Sequence, residues 1–192
     1  MKKFLLVGRT GVGKSSFINT TFGCNVAATS EFEACTKVVQ YHANNTQWGD
    51  VCLIDTPGLA EDTMDIDIAY LKMVKREVNF NELQASLYVT RLDDTRFRPD
   101  EKRTLQLLTT HLSSSIWDRS ILVLTFAASL PYQKRNDAIS IRISSIENYL
   151  EQITKLEPNS KFRSFKDCWL TDNVVTNWTT EGVTALSLLT KL

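Results

Sequence analysis

The stretch "GRTGVGKSS", Gly8 to Ser16, decides the fold. It follows the apolar run "KFLLVG" and precedes "FINTTFG". A short strand therefore runs into a glycine-rich loop and out into a helix, with Gly23 placed to stop it. The spacing Gly8-x-x-x-x-Gly13-Lys14-Ser15 is that of a loop that holds phosphates. Gly8, Gly11 and Gly13 let the backbone curl round an anion with no Cβ in the way. Successive N–H groups of Gly8, Arg9, Thr10, Gly11, Val12, Gly13, Lys14, Ser15 and Ser16 line the cradle, and the positive end of the next helix meets the charge. Lys14 is placed to bridge β and γ phosphates, and the Ser15 hydroxyl to ligate Mg2+.

Two further elements agree with it. "VCLIDTPGL" is an apolar strand ending in Asp55, where a carboxylate would hold Mg2+ through water. Gly58 in "DTPG" can offer its N–H to a γ phosphate. A phosphate switch also needs a threonine between the first helix and the next strand. Thr36 in "EACTKVV" stands there; Thr29 competes, and Thr36 is favoured.

Outward from these motifs, apolar runs alternate with helical spacings. "TKVVQYHA" and "DVCLID" read as an antiparallel hairpin turned at Asn44-Asn45. Residues 64–79 read as a helix, "ASLYVTRL" as a strand, and "RPDEKRTLQLLTTHL" as a helix with Pro99 and Asp100 in its first turn. "RSILVLTF" is a buried strand. Ile139, Ile143, Ile146, Leu150 and Ile153 follow at helical spacing within 135–156. "KDCWLT" is the last strand, and residues 181–192 read as a final helix. The expectation is a three-layer α/β fold with a mostly parallel six-stranded sheet, one antiparallel edge hairpin and helices on both faces. With no repeat or linker, residues 1–192 form one domain.

Balanced charge, 22 basic against 22 acidic residues, gives no reason to expect a nucleic-acid partner. Scattered tryptophans make no stacking platform. Cys24, Cys35, Cys52 and Cys168 show no CxxC pair and read as buried free thiols in a reducing, cytoplasmic compartment. No apolar run is long enough to span a bilayer, and Phe4 to Val7 is too short for a signal peptide; peripheral membrane association stays open. His42 and His111 have no carboxylate or cysteine at ligand spacing, so neither is assigned to catalysis or metal. Asp93 and Asp94 in "LDD" are read as a framing loop and not as a hydrolytic carboxylate pair.

The base-reading segment is where the pattern departs. GTPases of the P-loop type read guanine with Asn/Thr-Lys-x-Asp after the fifth strand. Here "VLTFAASLP" has Thr125, but Phe126 stands for the lysine and Ala128 for the aspartate. Phe126 can lie against the face of a base, or pack into the core.

"IWDRSILVLTFAASLPY" and "LYVTRLDDTRFRPDEKRTLQLL" resemble the Toc GTPases of the chloroplast outer envelope. "EFEACTKVVQYH" resembles the immunity-associated GIMAP GTPases of the same septin-related superfamily, which supports Thr36. The resemblance covers most of residues 3–178 and implies a Ras-like P-loop GTPase fold binding GTP or GDP with Mg2+. It implies that Phe126 replaces a histidine beside the guanine. Asp172 and Asn173 in "WLTDNVV" fall where a Glu-Asn pair reads the base. It also implies a homodimer across the nucleotide face, with Arg96 of "RLDDTR" matching an arginine that reaches over it.

Leu59 stands where small signalling GTPases place the glutamine that orients water, so slow hydrolysis is expected. The assignment is then catalytic Lys14, Thr36, Gly58 and Arg96, metal-binding Ser15, Thr36 and Asp55, and nucleotide-binding residues 8–16 with Thr125, Phe126, Asp172 and Asn173. The leading function is a slow GTP-hydrolysing switch that dimerises. A septin-like assembly module with little turnover is the alternative, and an ATPase stays open because Ala128 lacks the carboxylate.

Overall fold

The structure, a computed structural model, describes residues 1–29, 36–46, 49–60, 63–155, 162, 164, 165 and 168–171. Its strands are β1 (Lys2–Val7), β2 (Gln40–Thr46), β3 (Gly49–Asp55), β4 (Leu83–Arg91), β5 (Ser120–Thr125) and β6 (Cys168–Leu170). Its helices are α1 (Lys14–Phe22), α2 (Met64–Glu77), α3 (Pro99–Leu112) and α4 (Tyr132–Thr154). The strands form one sheet in the order β2-β3-β1-β4-β5-β6, parallel except for β2 against β3.

Alternation along β1 explains the layering. Leu5 and Val7 point into one core with Leu71 and Val74 of α2, Leu105 and Leu108 of α3, and Ile146 and Leu150 of α4. Phe4 and Leu6 point to the other face, with Phe17 and Ile18 of α1. Strands buried on both faces need both sets of side chains apolar, which the near-continuous runs of β1 and β5 supply. Each buried Leu or Phe contributes about 1.5–3 kcal/mol. This is the Ras-like P-loop fold the sequence predicts.

A buried polar seam crosses the first core. The Arg142 guanidinium of α4 pairs with the Glu101 carboxylate of α3, the two side chains 4% and 0% exposed. Tyr88 and Thr90 donate to the same carboxylate at 3.0 and 2.7 Å. Burial, with the Glu101 charge beside it, pushes the Tyr88 phenol well above its ordinary value, so it stays a donor. A buried pair persists only with such extra hydrogen bonds, and removing one partner costs about 3–5 kcal/mol.

Several sequence expectations need correction. The hairpin is antiparallel, but it does not turn at Asn44-Asn45. Asn44 pairs with Val51, Asn45 with Asp50 and Thr46 with Gly49, so the ladder runs further than turn propensity suggests. β3 offers backbone partners as far as Gly49, and an edge strand tolerates polar residues. The strand also begins at Gln40, not Thr36, which leaves Thr36 free of the ladder. Cys24 is exposed and Cys168 half-buried; only Cys52 of the described free cysteines is buried. Cys35 and the expected helix over 181–192 lie outside the described residues.

Candidate functional site

The phosphate loop is held by close backbone packing. A Cβ on Gly8 would stand 2.3 Å from the Val89 carbonyl oxygen, so only glycine lets the loop leave β1 past β4. Gly11 and Gly13 have φ of 72° and 91°, the left-handed region glycine enters without strain. Gly13 caps α1, aiming that helix N-terminus into the loop. The Lys14 ammonium is buried and donates to the Arg9 carbonyl at 3.0 Å.

The segment after β3 is laced to this loop. Thr10 N–H donates to the Leu59 carbonyl at 3.1 Å, and Leu59 N–H to the Gly8 carbonyl at 3.2 Å. A Cβ on Gly58 would lie 2.5 Å from Thr10 Cα and 2.6 Å from its N. The Leu59 side chain turns into the core, 3% exposed, and has no polar group to offer a water.

Three predicted metal-binding residues converge. The Ser15 hydroxyl donates to Asp55 Oδ2 at 2.7 Å, and the Thr36 hydroxyl donates to the same oxygen at 3.0 Å. The two hydroxyls stand 3.3 Å apart. Asp55 is fully buried, and its Oδ1 has no hydrogen-bond partner. Two hydroxyls and a buried carboxylate with an unsatisfied oxygen form a hard-oxygen set that fits Mg2+. Thr29, the competitor of Thr36, is exposed.

The segment expected to face the base is built differently. Thr125 is fully buried; its hydroxyl donates to the Val12 carbonyl at 2.7 Å and lies 3.1 Å from the Thr90 carbonyl. Its hydroxyl therefore braces the phosphate loop against β4. Phe126 is half-buried with φ 57°, an unusual conformation for an aromatic residue. The Arg91 guanidinium lies 3.9 Å above its ring. Asp93 grips that guanidinium through both oxygens, at 2.9 and 2.7 Å, and holds its pKa above the ordinary value. Phe126 thus packs half-exposed under a cation, not into the core. Ala128 is exposed. Asp172 and Asn173 lie outside the described residues.

Arg96 is exposed, and its carbonyl accepts from Arg142 at 3.3 Å. The sequence pointed to neither the Arg91–Phe126 stack nor the side chain of Arg9. Arg9 pairs with Asp100 and, at 3.2 Å, with Asp94. Ser16 is half-buried at the start of α1. Among the described residues no cluster of His, Cys, Asp or Glu forms a separate metal site, and no helix is long and apolar enough to cross a membrane.

The family model described as the AIG1 family matches residues 2–159. The chain belongs to the AIG1 family. This AIG1 chain is 30% identical over 167 residues to translocase of chloroplast 90 of Arabidopsis thaliana, covering 81% of this chain and 21% of that protein. It therefore spans about a fifth of that relative's length. It is similar to the solved structure of Toc33 from Arabidopsis thaliana in complex with GDP and Mg2+. That match has TM-score 0.77 and 22% identity over 99% of this chain and 83% of the other. A second structure, described as showing that dimerization is important for the GTPase activity of atToc33 and psToc159, gives TM-score 0.79. Its identity is 24%, over 98% of this chain and 82% of the other. Likeness at that identity establishes the AIG1 chain's fold.

Proposed function

We propose that this AIG1 chain binds a guanine nucleotide with Mg2+, hydrolyses GTP slowly, and dimerises across its nucleotide face. The convergence of Ser15, Thr36 and the buried Asp55 carboxylate carries the reading. In it, the amides of residues 8–15 and the α1 N-terminus hold the β phosphate, Lys14 meets the β and γ oxygens, and Gly58 N–H faces the γ phosphate. Ser15, Thr36 and Asp55 hold the metal, which neutralises charge on the phosphates when bound. Thr36, which meets Asp55 and Ser15 without nucleotide, would turn its hydroxyl to the metal when the γ phosphate is in place, and that change of partner makes the chain a switch. The relatives described with GDP, Mg2+ and GTPase activity support this reading.

Leu59 favours slow turnover, because it cannot orient a water. The transition-state charge then needs a donor from outside, and the exposed Arg96 of a facing second copy has the right chemistry. Asp172 and Asn173 are the proposed base readers in place of Ala128. Buried Leu59 equally suits an assembly module that holds nucleotide with little turnover. Single-turnover phosphate release at low and high protein concentration separates the two, and a rate rising with concentration favours the dimeric switch.

Calorimetry of GTP against ATP in Mg2+, with Lys14→Ala as control, tests the core of the proposal. The expected result is GTP binding at least about 100-fold tighter than ATP and lost in Lys14→Ala. Equal affinity for ATP overturns the guanine assignment.

A further inference from the structure

Arg9 sits at a junction of three segments. Its peptide lies between Gly8 and Thr10, whose backbone groups both bond Leu59 beside Gly58. Its carbonyl accepts from Lys14. Its side chain pairs with Asp94 and with Asp100 at the start of α3. Asp94 is only 13% exposed and also accepts from Arg98 at 3.0 Å. It ties the phosphate loop to a segment 85 residues away in sequence.

The rest of that segment is anchored elsewhere. Leu92 N–H bonds the Thr125 carbonyl at 2.9 Å. Asp93 grips Arg91. The Arg96 carbonyl rests on Arg142, which the buried Glu101 pair fixes. Between these anchors, Asp94 joins the segment that carries Arg96 to the phosphate loop. The other acidic partner of Arg9, Asp100, lies beyond that segment, in the first turn of α3.

We infer that Asp94 is a positioning residue: through Arg9 it transmits which nucleotide occupies the phosphate loop to the segment 92–98 that presents Arg96. Contacts on both faces of the Arg9 peptide make the link a contiguous one, and coupling needs a direct measurement. The inference rests on the proposed nucleotide site, but not on the dimer.

Hydrogen exchange of the amides of residues 92–98, in complexes with GDP and with a non-hydrolysable GTP analogue, tests it. In the wild-type chain we expect rates to differ between the two by about fivefold or more. Asp94→Asn removes that difference while changing the affinity for either nucleotide by less than about threefold. Asp94→Glu, which keeps the charge, retains it. A difference that survives in Asp94→Asn, no difference in the wild type, or loss of nucleotide affinity in Asp94→Asn each overturns the inference. Sedimentation of the same samples tests the dimer separately. A chain that is monomeric in both states but loses its exchange difference in Asp94→Asn refutes the dimer and keeps the Asp94 link. A chain that dimerises with unchanged exchange in the variant does the reverse.

Discussion

The phosphate loop and the segment proposed to face the base use different material. On the phosphate side the contacts are backbone against backbone: Gly8 against Val89, Gly58 against Thr10, Leu59 bonded to both flanks of Arg9. On the base side they are side-chain contacts, Arg91 over Phe126 and Asp93 under Arg91. Backbone packing leaves no rotamer to absorb a change; side-chain stacking does. Substitutions on the first side should therefore damage fold and binding together, and on the second side binding alone.

The largest effect is expected at Gly58→Ala. The new Cβ would stand 2.5–2.6 Å from Thr10 backbone atoms, which cannot rotate away. We expect a loss of about 3 kcal/mol in urea unfolding, with nucleotide affinity falling alongside. Full stability with weakened binding breaks the comparison, because the two loops would then be separable.

That contrast also explains what could be read in advance. Gly8, Lys14, Ser15 and Asp55 are legible because each sits at a fixed offset from a strand tip, and a backbone cradle admits few residue types. Thr36 is legible from its place between α1 and the hairpin. The Arg9–Asp94 link is not, since nothing local marks an ion pair between residues so distant in sequence. Asn44-Asn45 misleads because turn propensity is a local signal, whereas the register of β2 is set by its whole ladder with β3. Phe126 is recognisable only as a departure from the lysine pattern; that its ring lies under Arg91 depends on a left-handed backbone no propensity predicts.

Thr125→Val is the next largest. Its hydroxyl is the strut between the two sides, donating to the Val12 carbonyl with the Thr90 carbonyl 3.1 Å away. Valine keeps the shape and leaves the Val12 carbonyl without that donor. The expected cost is about 2 kcal/mol of stability, with nucleotide affinity weakened because the loop loses its brace. Thermal unfolding with and without nucleotide measures both. An unchanged melting temperature would show that the loop needs no support from β5.

Phe126→Ala tests the base side directly. Losing the ring should weaken nucleotide binding by about 1 kcal/mol, roughly fivefold, by calorimetry. The melting temperature of the nucleotide-free chain should hardly change, since both the ring and its arginine partner are only half-buried. A stacking contact touches any purine, so GTP and ATP should lose equally. A larger loss of stability than of affinity would place Phe126 with the phosphate side, as a structural residue.

The smallest effect concerns His42, on the edge strand within reach of the charge of Asp55, the proposed metal-binding carboxylate. Its Nε2 is buried without a hydrogen-bond partner. Burial holds its pKa below the ordinary 6.5, while the Asp55 charge pulls the other way. The sign follows from proton uptake. Below about pH 6.5 the unfolded chain takes up a proton that the folded chain resists, so stability falls as pH drops through that window. Replacing His42 with Gln should flatten this part of the stability–pH curve, measured by urea unfolding between pH 5 and 7 in wild type and variant. Mg2+ sharpens the test. Bound at the proposed site, the metal would offset the Asp55 charge that favours protonated His42 and so lower its folded pKa further. The wild-type curve should then be steeper with Mg2+ than without it, and the His42→Gln curve less affected. Identical slopes in wild type and variant would mean that His42 does not feel the site, and that Asp55 acts on its hydroxyl partners alone.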